Sequence, residues 1–425
     1  MKRYLAALLL LPSLLFAQLT APTNVTVNKP SYVFEPEEMT IYINPLNPNN
    51  FIGGANLDWY YYSFDKGATW EQAKMPGPVI YGDPVVHFDM LGNAYYTHLG
   101  PFGNTGIFIA RSSDGGKTWS SSKKIYGNSG SVPFMDKEWI TSDRSETPYK
   151  NNLYVSWTQF DKYGSSDPKD FSRILFSRST DAGETFSTPI TISTRLGNSK
   201  DGDSTVEGAV PCVSPEGNVY VSWSGPEGIV FTKSTDGGLS FAPEKFVVNQ
   251  VSGWAYEVPG IYRANGLPFT DCDISNSASR GTIYINYSDS TYGDHDVFIV
   301  KSTDEGETWS APIRINNDSI GNGKEQFMSH FTIDPVTGAI SVLFYDRRNY
   351  PKDDKNHRTD VYMTRSTDGG ETFINTKISD EPFMPEPETF FGDYIGINSY
   401  NNLVTALWMR LDGEDLSVKN FTKQY

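Results

Sequence analysis

Cysteine is nearly absent: two residues, Cys212 and Cys272, in a chain of 425. A dense disulfide framework is therefore excluded, and at most one bridge can form. No apolar run approaches the roughly 20 residues that a membrane span needs. The longest, from Tyr4 to Phe16, follows Lys2 and Arg3 and ends at Ala17-Gln18. That order of positive, apolar and small residues is the pattern of a bacterial-style secretory leader spanning 1–17. No cysteine stands at the cleavage point, so lipid anchoring is not indicated. Positive charge is also scarce. Without Lys2 and Arg3 the chain carries 33 basic against 51 acidic residues, a formal −18, with no basic cluster. Nucleic acid and anionic membrane are poor partners for such a surface. Helical periodicity and low-complexity linkers are missing too. Residues 18–425 read as a single all-β domain, secreted or periplasmic.

What the chain does contain is one phrase written six times, Ser-x-Asp-x-Gly-x-Thr-Trp or a near variant. The copies are Ser63–Trp70, Ser112–Trp119, Ser179–Phe186, Ser234–Phe241, Ser302–Trp309 and Ser366–Phe373. Their aspartates, Asp65, Asp114, Asp181, Asp236, Asp304 and Asp368, are spaced by 49, 67, 55, 68 and 64 residues. One four-stranded sheet with its loops occupies that length, so the repetition is radial. The glycine supplies positive φ at a corner, and the aspartate accepts turn N–H groups as Asx-turns do. These six acids are fold residues.

The phrases resemble Asp-boxes, also called BNR repeats, and the chain resembles the sialidase-like superfamily of β-propellers. The resemblance implies four-stranded antiparallel blades with each box joining the third strand to the fourth. It implies architecture only, because propellers of this kind hydrolyse or eliminate glycans, or bind glycans or proteins. After the sixth box, Gly392–Asn398, Leu403–Arg410 and Leu416–Thr422 make three further strands without a box. Residues 23–28 can supply their fourth, which closes the ring and removes open edges. Seven blades are expected, with six as the alternative. Cys212 and Cys272 fall on innermost strands of consecutive blades, where a bridge and two buried thiols are both compatible with the pattern.

The innermost strands end in Asn44, Asp89, Asp143, Ser214, Asp273 and Asp334, and acids stand five to seven residues before most end markers. They are Glu37 or Glu38, Asp83, Asp136 with Glu138, Glu207, and Asp393; Leu267 and Met328, with His330 nearby, stand at the other two blades. Carboxylates converging on one mouth raise one another's pKa or recruit a cation. The first outcome gives acid and base groups for glycoside chemistry, and the second a hard-oxygen site of the kind Ca²⁺ uses, to which Asp201-Gly-Asp203-Ser204 can add oxygens.

The sialidase catalytic set is only partly matched. Glu207 stands where the family's assisting glutamate would, but Tyr220–Ser224 lacks the arginine that follows it. Met328 replaces the nucleophilic tyrosine, and Glu38-Met-Thr-Ile-Tyr-Ile-Asn-Pro45 replaces the Arg-Ile-Pro phrase. A thioether cannot attack an anomeric carbon. The expectation is a glycoside hydrolase acting on extracellular polysaccharide, with Asp83 and Glu207 as carboxylate pair. Asp136, Glu138 and Asp393 stabilise charge in that reading, while Arg263, Arg347, Tyr394 and His330 contact the carbohydrate. Aromatics for stacking are Trp139, Tyr256, Phe391 and Tyr394. The alternatives are a polysaccharide lyase and a non-catalytic propeller that binds glycan or protein.

Overall fold

The computed structural model describes residues 24–28, 31–32, 36–77, 80–412 and 415–425; the leader expected at 1–17 lies outside them. Among the described residues there is no helix, and seven four-stranded antiparallel sheets follow one another around a ring. The innermost strands, in blade order, are Thr40–Ile43, Gly82–Phe88, Phe134–Ser142, Glu207–Val213, Phe269–Cys272, Gln326–Ile333 and Gly396–Tyr400. Each pairs outward with the next strand in sequence, as meander topology requires.

The seventh blade closes the ring as expected. Leu403–Asp412 and Asp415–Gln424 form its long hairpin, and Val25–Thr26 adds the outermost strand, pairing with Asn420 and Lys419. Ser31–Tyr32 pairs further along the same strand. Strands from the two ends of the chain thus share one sheet, and the outer edge of Asp415–Gln424 is covered. An element without a counterpart in the repeat is a two-residue hairpin, Ala255–Tyr256 with Ala264–Asn265, inserted between the fourth and fifth blades.

Each repeated corner is closed by its own side chains. In the fifth blade Ser302 Oγ donates to Asp304 Oδ1 at 2.8 Å and accepts the Gly306 N–H at 2.9 Å. Asp304 also accepts Thr308 N–H and Oγ1–H, at 2.9 and 2.6 Å. These donors hold the carboxyl down at about 2. Glu305 and Gly306 both adopt left-handed φ, 58° and 81°, so the corner needs two such residues rather than glycine alone. The closing Trp or Phe packs on a neighbouring blade: Phe241 meets Phe176 at 4.7 Å, and Trp309 meets Phe231 at 5.2 Å.

The core lies between blades. Second strands carry its largest members, Trp157, Trp223 and Trp408, all fully buried. Cys212 and Cys272 are buried free thiols in one apolar cluster with Tyr220, Ile283 and Tyr287 of the same two blades. Of the two states the sequence allowed, the thiol pair is the one present, and burial pushes both pKa values up.

Candidate functional site

The innermost strands are kinked at their starts. Register shifts by a β-bulge between Gly82 and Val85, Asp136 and Trp139, Glu207 and Val210, and Phe327 and His330. At each bulge one residue is left-handed: Asp83 (55°), Lys137 (51°), Gly208 (76°) and Met328 (49°); Glu38 (61°) and Gly392 (72°) repeat the conformation in blades one and seven. The five in blades one to four and six stand six residues before their strand's end marker. A non-glycine residue in this region costs about 1–2 kcal/mol, and such strain gathers at functional sites. The fixed offset also singles out Lys137, which a search for acids alone passed over in favour of its neighbours Asp136 and Glu138.

The kinks open a pocket of about 810 Å³ at the channel mouth. It brings together Asp83, Asp136, Glu207, Asp393 and Arg263 from the expected set, with both Glu37 and Glu38. It adds Lys137, Asp201, Glu257 and Glu388. Aromatic walls come from Tyr81, Phe134, Tyr163, Trp254, Tyr256, Tyr262 and Phe390. Tyr81, Phe102, Phe134 and Tyr163 form one contiguous cluster, with Tyr81–Phe102 at 4.8 Å and Phe134–Tyr163 at 5.0 Å. Across the mouth Arg263 lies 4.9 Å over Phe390.

Two charge systems share this space. In the first, Asp393 takes Lys137 Nζ at 2.7 Å, Arg263 Nε at 3.0 Å and Nη2, and Asn265 Nδ2 at 3.2 Å. Burial opposes its charge, but Lys137 and Arg263 outweigh burial and hold the carboxyl below the ordinary range. Lys137 is held protonated in turn, chiefly by Asp393, with Glu38 Oε1 at 3.8 Å. In the second system Glu38 and Asp136 are buried close to the Asp83 carboxyl. Burial, then the charge of Asp83, raises both pKa values well above the usual carboxylate range. Glu207 is raised as well, by burial and then by Asp201 and Asp136. Asn56 orders the edge of this system, donating to Glu38 Oε2 at 2.6 Å and accepting the Asp83 N–H at 2.8 Å. Among the described residues, Glu207 Oε2 and Trp254 Nε1 are buried on the pocket wall without a hydrogen-bond partner.

Four expected residues lie elsewhere. Glu138 and Tyr394 line a smaller space beneath, beside Trp139 and Leu267. His330 is deeper in the channel, stacked on Phe269 at 4.0 Å with Nδ1 2.6 Å from the Ile395 carbonyl; burial lowers its pKa to about 4. Arg347 is buried away from the mouth, donating to the Pro259 carbonyl at 2.6 Å and to Thr359 Oγ1 at 3.1 Å. Its job there is to hold the segment that presents Arg263. Of the stacking candidates only Tyr256 lines the mouth, and Phe391 and Trp139 pack in or against core clusters. Asp201 faces the pocket and accepts the Tyr163 hydroxyl at 2.5 Å, whereas Asp203 caps the Ala255 N–H at 2.9 Å. No group of three or more His, Cys, Asp or Glu among the described residues is arranged to hold a metal ion. Nor is any helix long and apolar enough to cross a membrane.

No protein-family model matches the chain, and no curated protein does. Solved structures share its fold. A polysaccharide lyase, the PL25 ulvan lyase, is 12% identical over 92% of this chain and 95% of its own, with a TM-score of 0.53. A protein of unknown function from Dyadobacter fermentans is 12% identical over 94% and 98%, with a TM-score of 0.50. The intramolecular trans-sialidase of Ruminococcus gnavus is 12% identical over 80% and 93%, with a TM-score of 0.48. At these identities the likeness is one of fold.

Proposed function

We propose that this protein is a secreted or periplasmic glycoside hydrolase that acts on extracellular polysaccharide through the carboxyls of the channel mouth. One observation carries the reading: an open, aromatic-walled pocket gathers Asp83, Asp136, Glu38 and Glu207, and burial raises the pKa values of the last three. Glycosidic cleavage needs carboxyls in two roles, because one carboxyl must give a proton to the leaving oxygen while another serves as base or nucleophile. Asp136 or Glu207 is the acid and Asp83 the partner base. Tyr163, Tyr256 and Trp254 offer faces to the apolar sides of sugar rings. Asp393, saturated by Lys137, Arg263 and Asn265, is a positioning residue that fixes Lys137 among the acids. Support of a coarser kind comes from the fold, which a lyase of a sulfated uronic-acid polymer also uses.

The lyase alternative is weaker on this geometry. Elimination next to a uronic acid needs the sugar carboxylate neutralised by a cation or by hydrogen-bond donors, and both cations of the mouth are bound to Asp393. The binder alternative leaves the strained carboxyls without a use.

The test is reducing-end release from a polysaccharide panel by the wild type, Asp83→Asn and Glu207→Gln. Asparagine tolerates the left-handed backbone at 83, so that variant keeps the fold. A loss of about 10²–10⁴ in kcat/KM, the usual worth of a general acid or base, is expected for each. Turnover by all three at one rate would remove the carboxyl assignment. Unsaturated, ultraviolet-absorbing products would make the enzyme a lyase.

A further inference from the structure

We infer that the mouth selects sugars bearing a protonated amine, the 2-amino-2-deoxyhexose units of a cationic polysaccharide, over neutral and anionic ones. This rests on the glycan-processing reading of the same pocket and names its substrate class.

The argument is one of unbalanced charge. Nine carboxyls and two cations line the pocket, and six carboxyls still face the two cations when Glu38, Asp136 and Glu207, whose pKa values burial raises, are left out. Both cations are spent internally: Lys137 on Asp393 and Glu38, Arg263 on Asp393 with Asp201 3.9 Å away. Little cationic surface is left for a carboxylate or sulfate of a ligand beyond the outer edge of Arg263, and an anionic sugar would also meet Asp83, Asp201 and exposed Glu257 and Glu388. A buried like charge without a partner is costly, so the site discriminates by repulsion. An ammonium has the reverse experience. It has three N–H donors, and Glu207 Oε2, buried on the wall without a partner, is an acceptor waiting for one. The aromatic walls add cation–π attraction of the kind already seen between Lys137 and Tyr394, 5.1 Å from the ring centre.

A bare metal ion has the same sign but fits less well. No three acidic side chains among the described residues converge as metal ligands do, and aromatic faces contribute nothing to a hydrated Ca²⁺. Entry of an ammonium next to Glu38, Asp136 and Glu207, whose pKa values burial raises, pulls those values down again, because a new positive charge favours the ionised form of each acid. Binding is therefore coupled to proton release.

The experiment is calorimetry with glucosamine oligomers, their N-acetylated counterparts and galacturonic acid oligomers at pH 6, where the sugar amine carries its proton. Each titration is repeated in two buffers of different ionisation enthalpy and with CaCl₂ or EDTA. Glucosamine oligomers are expected to bind at least about tenfold more tightly than the N-acetylated series, with proton release. The preference should shrink in about 0.5 M NaCl, which screens the attraction. Glu257→Gln and Glu388→Gln, exposed and remote from the fold's interior, should reduce it without unfolding the protein. Equal or tighter binding of neutral or anionic oligomers overturns the inference, as does Ca²⁺ binding with no preference among sugars. Amine-selective binding without any turnover leaves the inference standing and sinks the hydrolase reading. Turnover of neutral or anionic chains does the opposite.

Discussion

Replacing Asp393 by Asn keeps the size of the side chain and removes one charge from the centre of the mouth. Lys137, whose side chain is 12% exposed, then keeps only the more distant Glu38, at 3.8 Å, and Asp83 nearby in the place of a 2.7 Å contact. Stranding one member of a buried pair costs about 3–5 kcal/mol. Two features moderate this: Arg263 is 46% exposed, so water screens its loss, and the amide oxygen still accepts one hydrogen bond. The expected loss is therefore near the lower end, about 3 kcal/mol, read as a shift of the urea midpoint at pH 7. The pH dependence follows from the sign of the shift. The folded-state carboxyl of Asp393 is depressed, so its contribution is complete above the ordinary carboxylate pKa of about 4 and fades as pH falls through the lower, folded value. Wild type and variant should differ equally at pH 7 and pH 5 and converge below about pH 4. Removing the stranded charge as well, in Asp393→Asn/Lys137→Met, should recover much of the loss. A single variant within about 0.5 kcal/mol of wild type, or a gap that widens on acidification, would refute the ion-pair account.

Further outcomes follow from other parts of the molecule. Asp114→Ala removes acceptors for Thr118 N–H, Thr118 Oγ1–H and Ser112 Oγ–H at an exposed corner; it should cost roughly 1 kcal/mol in chemical unfolding and leave glycan binding unchanged. Gly208→Ala should cost more, because an added Cβ meets Leu267 Cδ2 at 2.8 Å while the backbone sits at φ 76°; circular dichroism melts of the glycine and corner variants order them directly. Thiol titration of the native protein should find neither cysteine reactive, and denaturation without reductant should expose both.

The ring was legible in the sequence because its signal is local and repeated. Ser302, Asp304, Gly306 and Thr308 close a corner within seven residues, and six copies mark six of the seven blades before any long-range contact is known. The seventh blade was legible through an absence, three strands without a box beside an N-terminal strand. The mouth was legible only in part. Acids at inner-strand starts led to Asp83, Asp136, Glu207 and Asp393, yet Lys137 was hidden because the sign of its charge was wrong for the search. Its marker was positional, six residues before Asp143, and backbone kinks at non-glycine residues leave no compositional trace. Trp254 and the role of Arg263 depend on a hairpin inserted between blades, which no repeat register could place. Arg347 looked like a substrate clamp from its strand-end position, but the Pro259 carbonyl captures it first.

If carbohydrate is cleaved at the strained acid mouth, the six corner aspartates take no part. A crystal structure of the Glu207→Gln variant with a bound oligosaccharide tests it most directly. The account predicts a sugar ring against Tyr163, Trp254 or Tyr256 and a glycosidic oxygen within about 3.2 Å of the Asp136 carboxyl or of the amide introduced at position 207. A chain bound on the outer corners, or one whose linkages all lie beyond reach of Asp83, Asp136 and position 207, would contradict it.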